Sequence, residues 1–304
     1  MGKFYAVKKG RQTGIFLSWL ECEQQVKGYK GAVYKSFQTK QEALNYLEEK
    51  VPVIYNLLIA DVIATVFVWI VGIIFKTASI YDPYWSVQTV AIYIPLMIKY
   101  DSFNLGSILY LVAILFWAVR LTYNFIHGFN DSSYIDWRYK QIKEKTGKMY
   151  QIVSLLGIHL VPTFVVFFAS VPSFLYVINN NSFELLNIIG LVIMILATML
   201  ELISDFNMVQ FKKVRKSNKE IIRVGLWKYS RHPNYLGEIL FWYGVAFVFI
   251  FSNISMWYVI IGAILNTMLF LFISIPLAEN HLKTYKEGFD AYKKETRMLF
   301  PIKK

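Results

Sequence analysis

Apolar stretches long enough to cross a lipid bilayer alternate along this 304-residue chain with short, densely charged blocks. The stretches lie at about 55–75, 88–99, 106–125, 152–178, 184–203, 236–252 and 255–277. The charge is concentrated in 1–50, 126–151, 204–231 and 279–304. Crossing the hydrocarbon core takes about 20 helical residues. Helix also satisfies every backbone N–H and C=O from within the segment. The pattern predicts an all-α polytopic membrane bundle of six or seven transmembrane helices over 53–304. At 12 residues, 88–99 is a short span, a tilted one or a re-entrant piece, and it decides the number. Charged residues make up 17% of the chain, against about 25% in soluble domains, so a soluble enzyme is excluded for this part.

Lysine and arginine set the expected orientation. Residues 126–151 carry five of them, 204–235 carry eight and the C-terminal tail seven, whereas the turns at 101–104 and 179–183 carry none. The three basic blocks, and with them the C-terminus, are expected in the cytoplasm. Seven full spans would place the N-terminus on the other side; six spans and a re-entrant 88–99 would place it on the same side. Residues 1–50 lack the apolar core of a signal peptide, so insertion is expected to rely on an internal span. The single cysteine, Cys22, excludes an intramolecular disulfide and argues against a cysteine-ligated metal site, and no metal site is expected.

Residues 1–50 read as a small α/β module of three strands and two helices. Strands are expected at Phe4 to Val7, Gly14 to Trp19 and Ala32 to Phe37, and helices at Glu21 to Val26 and Lys40 to Glu49. Thr39 and Glu42 form a capping box for the second helix. Val51-Pro52 marks the boundary with the membrane domain.

The densest polar cluster near a predicted membrane boundary is Arg223 to Trp242. Asn234, Glu238 and Trp242 are four residues apart and share one helix face. An ionisable group at membrane depth is a functional candidate by default. Arg223, Arg231 and His232 could meet phosphates, while Tyr235 and Trp242 offer flat faces to a ring. The plainer alternative is interfacial anchoring by the basic residues. Glu201 and Asp205, also four apart, could bind hydroxyls or pair with lysines. The tail from Glu279 through His281 and Tyr285 is amphipathic, as in a helix lying on the bilayer surface.

Three features resemble the membrane steroid 5α-reductase superfamily, in particular a bacterial branch of uncharacterised members: Glu201…Asp205, the string Gly225-Leu-Trp-Lys-Tyr-Ser-Arg-His-Pro-Asn-Tyr-Leu-Gly-Glu238, and Glu279-Asn-His281…Tyr285…Tyr292. The likeness runs from about residue 80 to 301. It implies an enzyme in a bacterial cell membrane that binds NADPH near the cytoplasmic side of the bundle. The reaction implied is reduction of a C=C bond conjugated to a carbonyl in a lipidic substrate. The cofactor residues implied are Glu201, Asp205, Arg223, Arg231, His232, Asn234, Tyr235, Glu238, Trp242, His281 and Tyr285, with Arg120 from Trp117-Ala-Val-Arg120. Asp82, in Tyr81-Asp-Pro-Tyr84, stands where the family keeps a carbonyl-polarising acid. The family's partner tyrosine falls on Trp117, so Tyr84 or Tyr123 is expected in its place. The string Arg-His-Pro-x-Tyr-x-Gly also occurs in membrane methyltransferases that use S-adenosylmethionine, which is the alternative cofactor. The basic 204–235 block favours a nucleotide with several phosphates.

The module at the N-terminus resembles the ribonuclease H N-terminal domain, shared with caulimovirus viroplasmin. Phe4-Tyr-Ala-Val-Lys-Lys-Gly10, Gly14-Ile-Phe-Leu-Ser-Trp19 and Tyr34-Lys35-Ser-Phe37 carry the likeness. It implies binding of double-stranded RNA or an RNA–DNA hybrid through Trp19, Tyr34 and Lys35, by shape and backbone contacts. No set of carboxylates for ribonuclease chemistry is evident in 51–304. A third expectation is therefore a non-catalytic membrane anchor that presents a hybrid-binding head.

Overall fold

The computed structural model describes residues 3–47, 50–128 and 135–300, in two compact units, 1–57 and 58–304. In the first, β1 (Phe4–Lys9) lies between β2 (Gly14–Phe16) and β3 (Val33–Phe37), antiparallel to both. Side chains alternate across a strand. Helix α1 (Trp19–Val26) accordingly covers Val7 on one face through Cys22 and Val26. Helix α2 (Lys40–Leu47) meets the other face, where Phe37 packs on Tyr46.

The second strand is shorter than expected and α1 begins earlier. The reason is a capping box at Ser18: its Oγ accepts from Glu21 N at 3.3 Å, and the Glu21 carboxylate accepts from Ser18 N at 3.2 Å. The expected box at Thr39 and Glu42 also forms, while Glu48 and Glu49 lie outside the described residues. Val51-Pro52 does not break the chain. These residues lie in the first turn of α3 (Lys50–Ile74), where a proline costs no helical hydrogen bond.

In the second unit, α3 is followed by α4 (Tyr84–Lys99), α5 (Leu105–Gly128) and α6 (Trp137–Thr146). A short α7 (Tyr150–Val153) continues through a π-helical turn, Ser154–Leu160, into α8 (Val161–Ile178). Next come α9 (Asn187–Val214) and α10 (Pro233–Ser252). Helix α11 (Ile261–Leu269) passes through a second π-helical turn, Phe270–Ser274, into α12 (Ile275–Tyr285), and α13 (Phe289–Glu295) closes the tail. Among the described residues, six helical stretches are long and apolar enough to cross a membrane: Val53–Ile74, Leu105–His127, Trp137–Ile178, Asn187–Val214, Pro233–Ser252 and Ile254–Tyr285. Residues 88–99 belong to α4, which packs on α5 and α8 and does not double back.

Hydrogen bonds define the two ends of this bundle. At one end Asn104 Nδ2 donates to Asn180 Oδ1 at 2.9 Å, and Asn187 Nδ2 donates to Ser252 Oγ at 2.8 Å, joining turns that carry no lysine or arginine. At the other end Asp136 N donates to Ser79 Oγ at 2.9 Å and Arg231 N to Arg297 O at 2.9 Å, so the basic blocks gather there.

Helices α9 and α10 cross closely because glycines leave room. A Cβ on Gly190 would stand 2.5 Å from Val248 N, and one on Gly244 would stand 2.9 Å from Gly190 O. A Cβ on Gly237 would meet Ala197 O at 2.7 Å and also the Glu201 side chain. The crossing therefore sets Glu201 of α9 beside Glu238 of α10.

Candidate functional site

A cavity of about 440 Å³ opens inside the second unit, a size suited to a small organic ligand. Arg120, Glu201 and Glu238 form one polar wall, and Asp82, Arg138 and Tyr139 another. Trp85, Phe125, Pro162, Leu269, Phe270 and Leu277 contribute apolar surface.

The first wall is built around one buried guanidinium. Arg120, on α5, pairs with Glu201, with Asp205 Oδ2 at 2.8 Å and with Glu238 Oε2 at 3.8 Å. Asn124, one turn along α5, also donates to Asp205. Glu238 is fixed by two indoles: Trp117 Nε1 donates to Oε2 and Trp242 Nε1 to Oε1, each at 2.9 Å. Three carboxyl groups thus face one cation. Glu201 Oε1 and Arg120 Nε are both buried without a hydrogen-bond partner among the described residues. Unsatisfied buried groups are rare and costly, and at a cavity wall they mark where a ligand can complete the bonding.

The second wall centres on Asp82, in the turn ahead of α4 and outside the long apolar helices. The Tyr139 hydroxyl donates to Asp82 Oδ1. Next to it Arg138 is held in a two-pronged pair with Asp136, Nε to Oδ1 at 2.8 Å and Nη2 to Oδ2 at 3.0 Å. Burial pushes the Asp82 carboxyl up to about 7, opposed by Arg138 and by the Tyr139 bond.

The structure brings Asp82, Arg120, Glu201, Asn234, Tyr235 and Glu238 together around this cavity. Asp205 and Trp242 stand behind Arg120 and Glu238 as their partners. Other expected residues are placed elsewhere. Tyr84 donates to Asp61 Oδ1 at 2.5 Å in a separate buried network, which Gln88 joins. Tyr123 is exposed and lies against the His127 ring. Arg223 pairs with Glu295 near Tyr292. Arg231 and His232 both reach Glu279 Oε1, at 2.8 and 3.2 Å, and Lys293 takes its other oxygen at 2.6 Å. Burial lowers the affinity of His232 for a proton, opposed by its hydrogen bond to Glu279. These three residues hold the tail to the start of α10, because one buried carboxylate collects every donor nearby. His281 stacks on Trp137, a cavity residue, at 3.8 Å and 7°, with Tyr285 5.1 Å beyond.

Sequence reasoning missed Tyr139, whose phenol is the one that hydrogen-bonds Asp82, where Tyr84 or Tyr123 was expected. The signal was Trp137-Arg138-Tyr139, an aromatic and basic triplet inside a block read only for its charge. Trp117 was read as unable to replace a tyrosine; it serves instead as a donor to Glu238.

In the first unit, Trp19 lies 5.7 Å from both Tyr5 and Tyr34, and Trp19 and Tyr34 are about half exposed. Lys35 points to the opposite face of β3, with Nζ 5.6 Å from the Phe37 ring. The aromatic pair is therefore one surface, and the lysine lies on the other face of the sheet.

The fold and these sites define a polytopic helical membrane protein with a charged internal cavity, preceded by a small aromatic-faced α/β head. Residues 68–296 match the family described as "Protein of unknown function (DUF1295)", so the chain belongs to that family, which is the steroid 5α-reductase-like family. Residues 3–47 match the ribonuclease H1 N-terminal domain. The head is 54% identical over 46 residues to a ribonuclease H of Saccharomyces cerevisiae, covering 15% of this chain and 13% of that protein. It is 59% identical over 44 residues to a ribonuclease H of Crithidia fasciculata, covering 14% of this chain and 9% of that one. The chain thus spans only a small part of these relatives. An uncharacterised protein of Schizosaccharomyces pombe is 23% identical over 217 residues, covering 63% of this chain and 62% of its own. No solved structure matches.

Proposed function

We propose that this protein is a membrane-bound oxidoreductase that uses NADPH to reduce a C=C bond conjugated to a carbonyl in a lipidic substrate. The observation that carries this reading is the Tyr139–Asp82 pair in the same cavity as the Arg120 cluster. Reduction of an enone needs a hydrogen-bond donor at the carbonyl oxygen, where negative charge develops. With its carboxyl held near about 7, Asp82 itself carries the proton in a large share of molecules at neutral pH. It can then donate to Tyr139 Oη and free the phenol hydrogen for a substrate oxygen.

The residues fit a nicotinamide nucleotide in two places. Glu201 Oε1 and Arg120 Nε offer an unpartnered acceptor and donor, as a carboxamide or a ribose hydroxyl requires. Beyond Trp137, His281 and Tyr285, Lys212 and Arg215 act electrostatically on Lys286, alongside Glu220, a mainly basic group of the kind that phosphates require. NADPH, when bound, would supply the hydride. The chain's own residues orient the ring, exclude water through the apolar wall and hold the donor at Tyr139 Oη. The apolar wall suits a lipidic substrate. The gathering of basic blocks at one end supports a cytoplasmic C-terminus.

One observation favours a second reading. Four carboxyl-bearing residues line the cavity (Asp82, Asp136, Glu201 and Glu238) against two arginines, an excess that suits the sulfonium of S-adenosylmethionine. The test of the first reading is NADPH oxidation by the detergent-purified protein across a panel of lipidic enones. Turnover that Tyr139→Phe cuts on the order of 100-fold supports it. Absence of turnover, together with methyl transfer from S-adenosylmethionine, replaces it with the second. For the head, the family match supports binding of an RNA–DNA hybrid or double-stranded RNA across the Trp19–Tyr34 surface.

A further inference from the structure

A second, smaller cavity of about 110 Å³ lies between the end of α3 and the stretch from α6 to the π-helical turn. It shares no lining residue with the larger one. Its polar lining includes Lys76, Lys143, Trp69 and His159, and no carboxylate among the described residues lines it. His159 is 1% exposed. Its Nδ1 lies 2.9 Å from Ser154 O, so that nitrogen carries the hydrogen, and Nε2 is left as a buried acceptor with no partner among the described residues. Trp69 Nε1 is likewise a buried donor with no partner. Lys76, at φ 58°, is the left-handed residue that ends α3, with Thr77 N donating to Gly72 O at 2.9 Å.

This combination specifies a ligand. Two ammonium groups and an indole N–H call for an anion with several acceptor oxygens. The Nε2 acceptor calls for one hydroxyl on the same ligand. The volume is several times the roughly 30 Å³ share of one water, enough for a phosphate and a short hydroxylated group. Ile73, Ile74 and Phe75, all exposed and apolar, run directly into Lys76, as at the level where hydrocarbon gives way to headgroups. We propose that this cavity binds a phosphate group bearing a hydroxyl, from either a phosphatidylglycerol-type headgroup or free hydrogenphosphate. This site is independent of the reductase reading.

The test is thermal unfolding of the full chain in mixed micelles containing phosphatidylglycerol or phosphatidylcholine, and in phosphatidylcholine micelles with inorganic phosphate. Phosphatidylglycerol should raise the midpoint above phosphatidylcholine. The double variant Lys76→Gln/Lys143→Gln should need about tenfold more of it, as expected for losing two charge-assisted contacts. Trp69→Phe, which keeps the ring, should lose part of the response. An equal rise with inorganic phosphate supports the site with the free ion as ligand. Lys140→Gln/Lys148→Gln removes two nearby lysines that do not line the cavity. An equal loss in that control, a wild-type response in the first double variant, or no phosphate-dependent shift at all overturns the proposal.

Discussion

Asp82 and Tyr139 are 57 positions apart, yet one hydrogen bond joins them, and their variants should separate chemistry from folding. Tyr139→Phe should cut enone reduction on the order of 100-fold, the usual worth of a positioned acid, while stability in a denaturant titration changes by about 1 kcal/mol. Asp82 gives a pH signature. An unfolded carboxyl titrates near about 4, whereas the folded one is raised to about 7, so between those values the folded state holds the extra proton. Stability should therefore fall as pH rises from about 4 to about 7. Activity that needs the protonated pair should decline above about 7, and Asp82→Asn should flatten both profiles. Arg120→Ala leaves Glu201, Asp205 and Glu238 facing one another and should cost about 3–5 kcal/mol, with Arg120→Lys recovering part of the loss. Glu201 and Glu238 were legible because acids at the ends of apolar stretches stand out, and Asp82 and Arg120 through the motifs that carry the family resemblance. Tyr139 was not, because a tyrosine in a basic block carries no such contrast, and its partner is fixed only by tertiary packing.

Hydropathy located most helix ends to within about five residues, since the need to bury backbone polar groups in lipid leaves little choice, but α9 runs past 203 to Val214 and the last stretch past 277 to Tyr285, where charged residues enter the helix. It could not say which helices touch. The α9–α10 crossing rests on Gly190, Gly237 and Gly244, whose role becomes visible only when the facing backbone is placed. Gly237→Ala should destabilise the bundle by about 1–3 kcal/mol, and by pushing on Glu201 it should also weaken cofactor binding. Circular dichroism melts and ligand titration check the two effects separately. The Arg231–His232 segment illustrates the limit of motif reading. The string was right as a landmark, but two of its polar groups turn toward Glu279 and the tail. In the head, Ser18-Trp-Leu-Glu21 was a capping box in plain view, overlooked because β-prone Gly14 to Trp19 was read as continuous strand.

At the scale of the whole chain, the division into a head and a membrane unit followed from charge and hydropathy, and both family likenesses rested on motifs visible in the sequence. The head's geometry refines its expected interface. In the full-length protein, Trp19→Ala should weaken binding of a labelled RNA–DNA hybrid about tenfold, the worth of one stacked base. Lys35→Ala, on the other face of β3, should change it by less than about threefold at physiological salt, and fluorescence anisotropy distinguishes the two.

The measurement that bears most directly on the cavity's function is a thermal shift of the detergent-purified full chain with NADPH and, separately, with S-adenosylmethionine, repeated on Arg120→Lys. NADPH should raise the unfolding midpoint of the wild type and should do so less in the variant, with S-adenosylmethionine giving no shift. Stabilisation by S-adenosylmethionine alone would contradict the account.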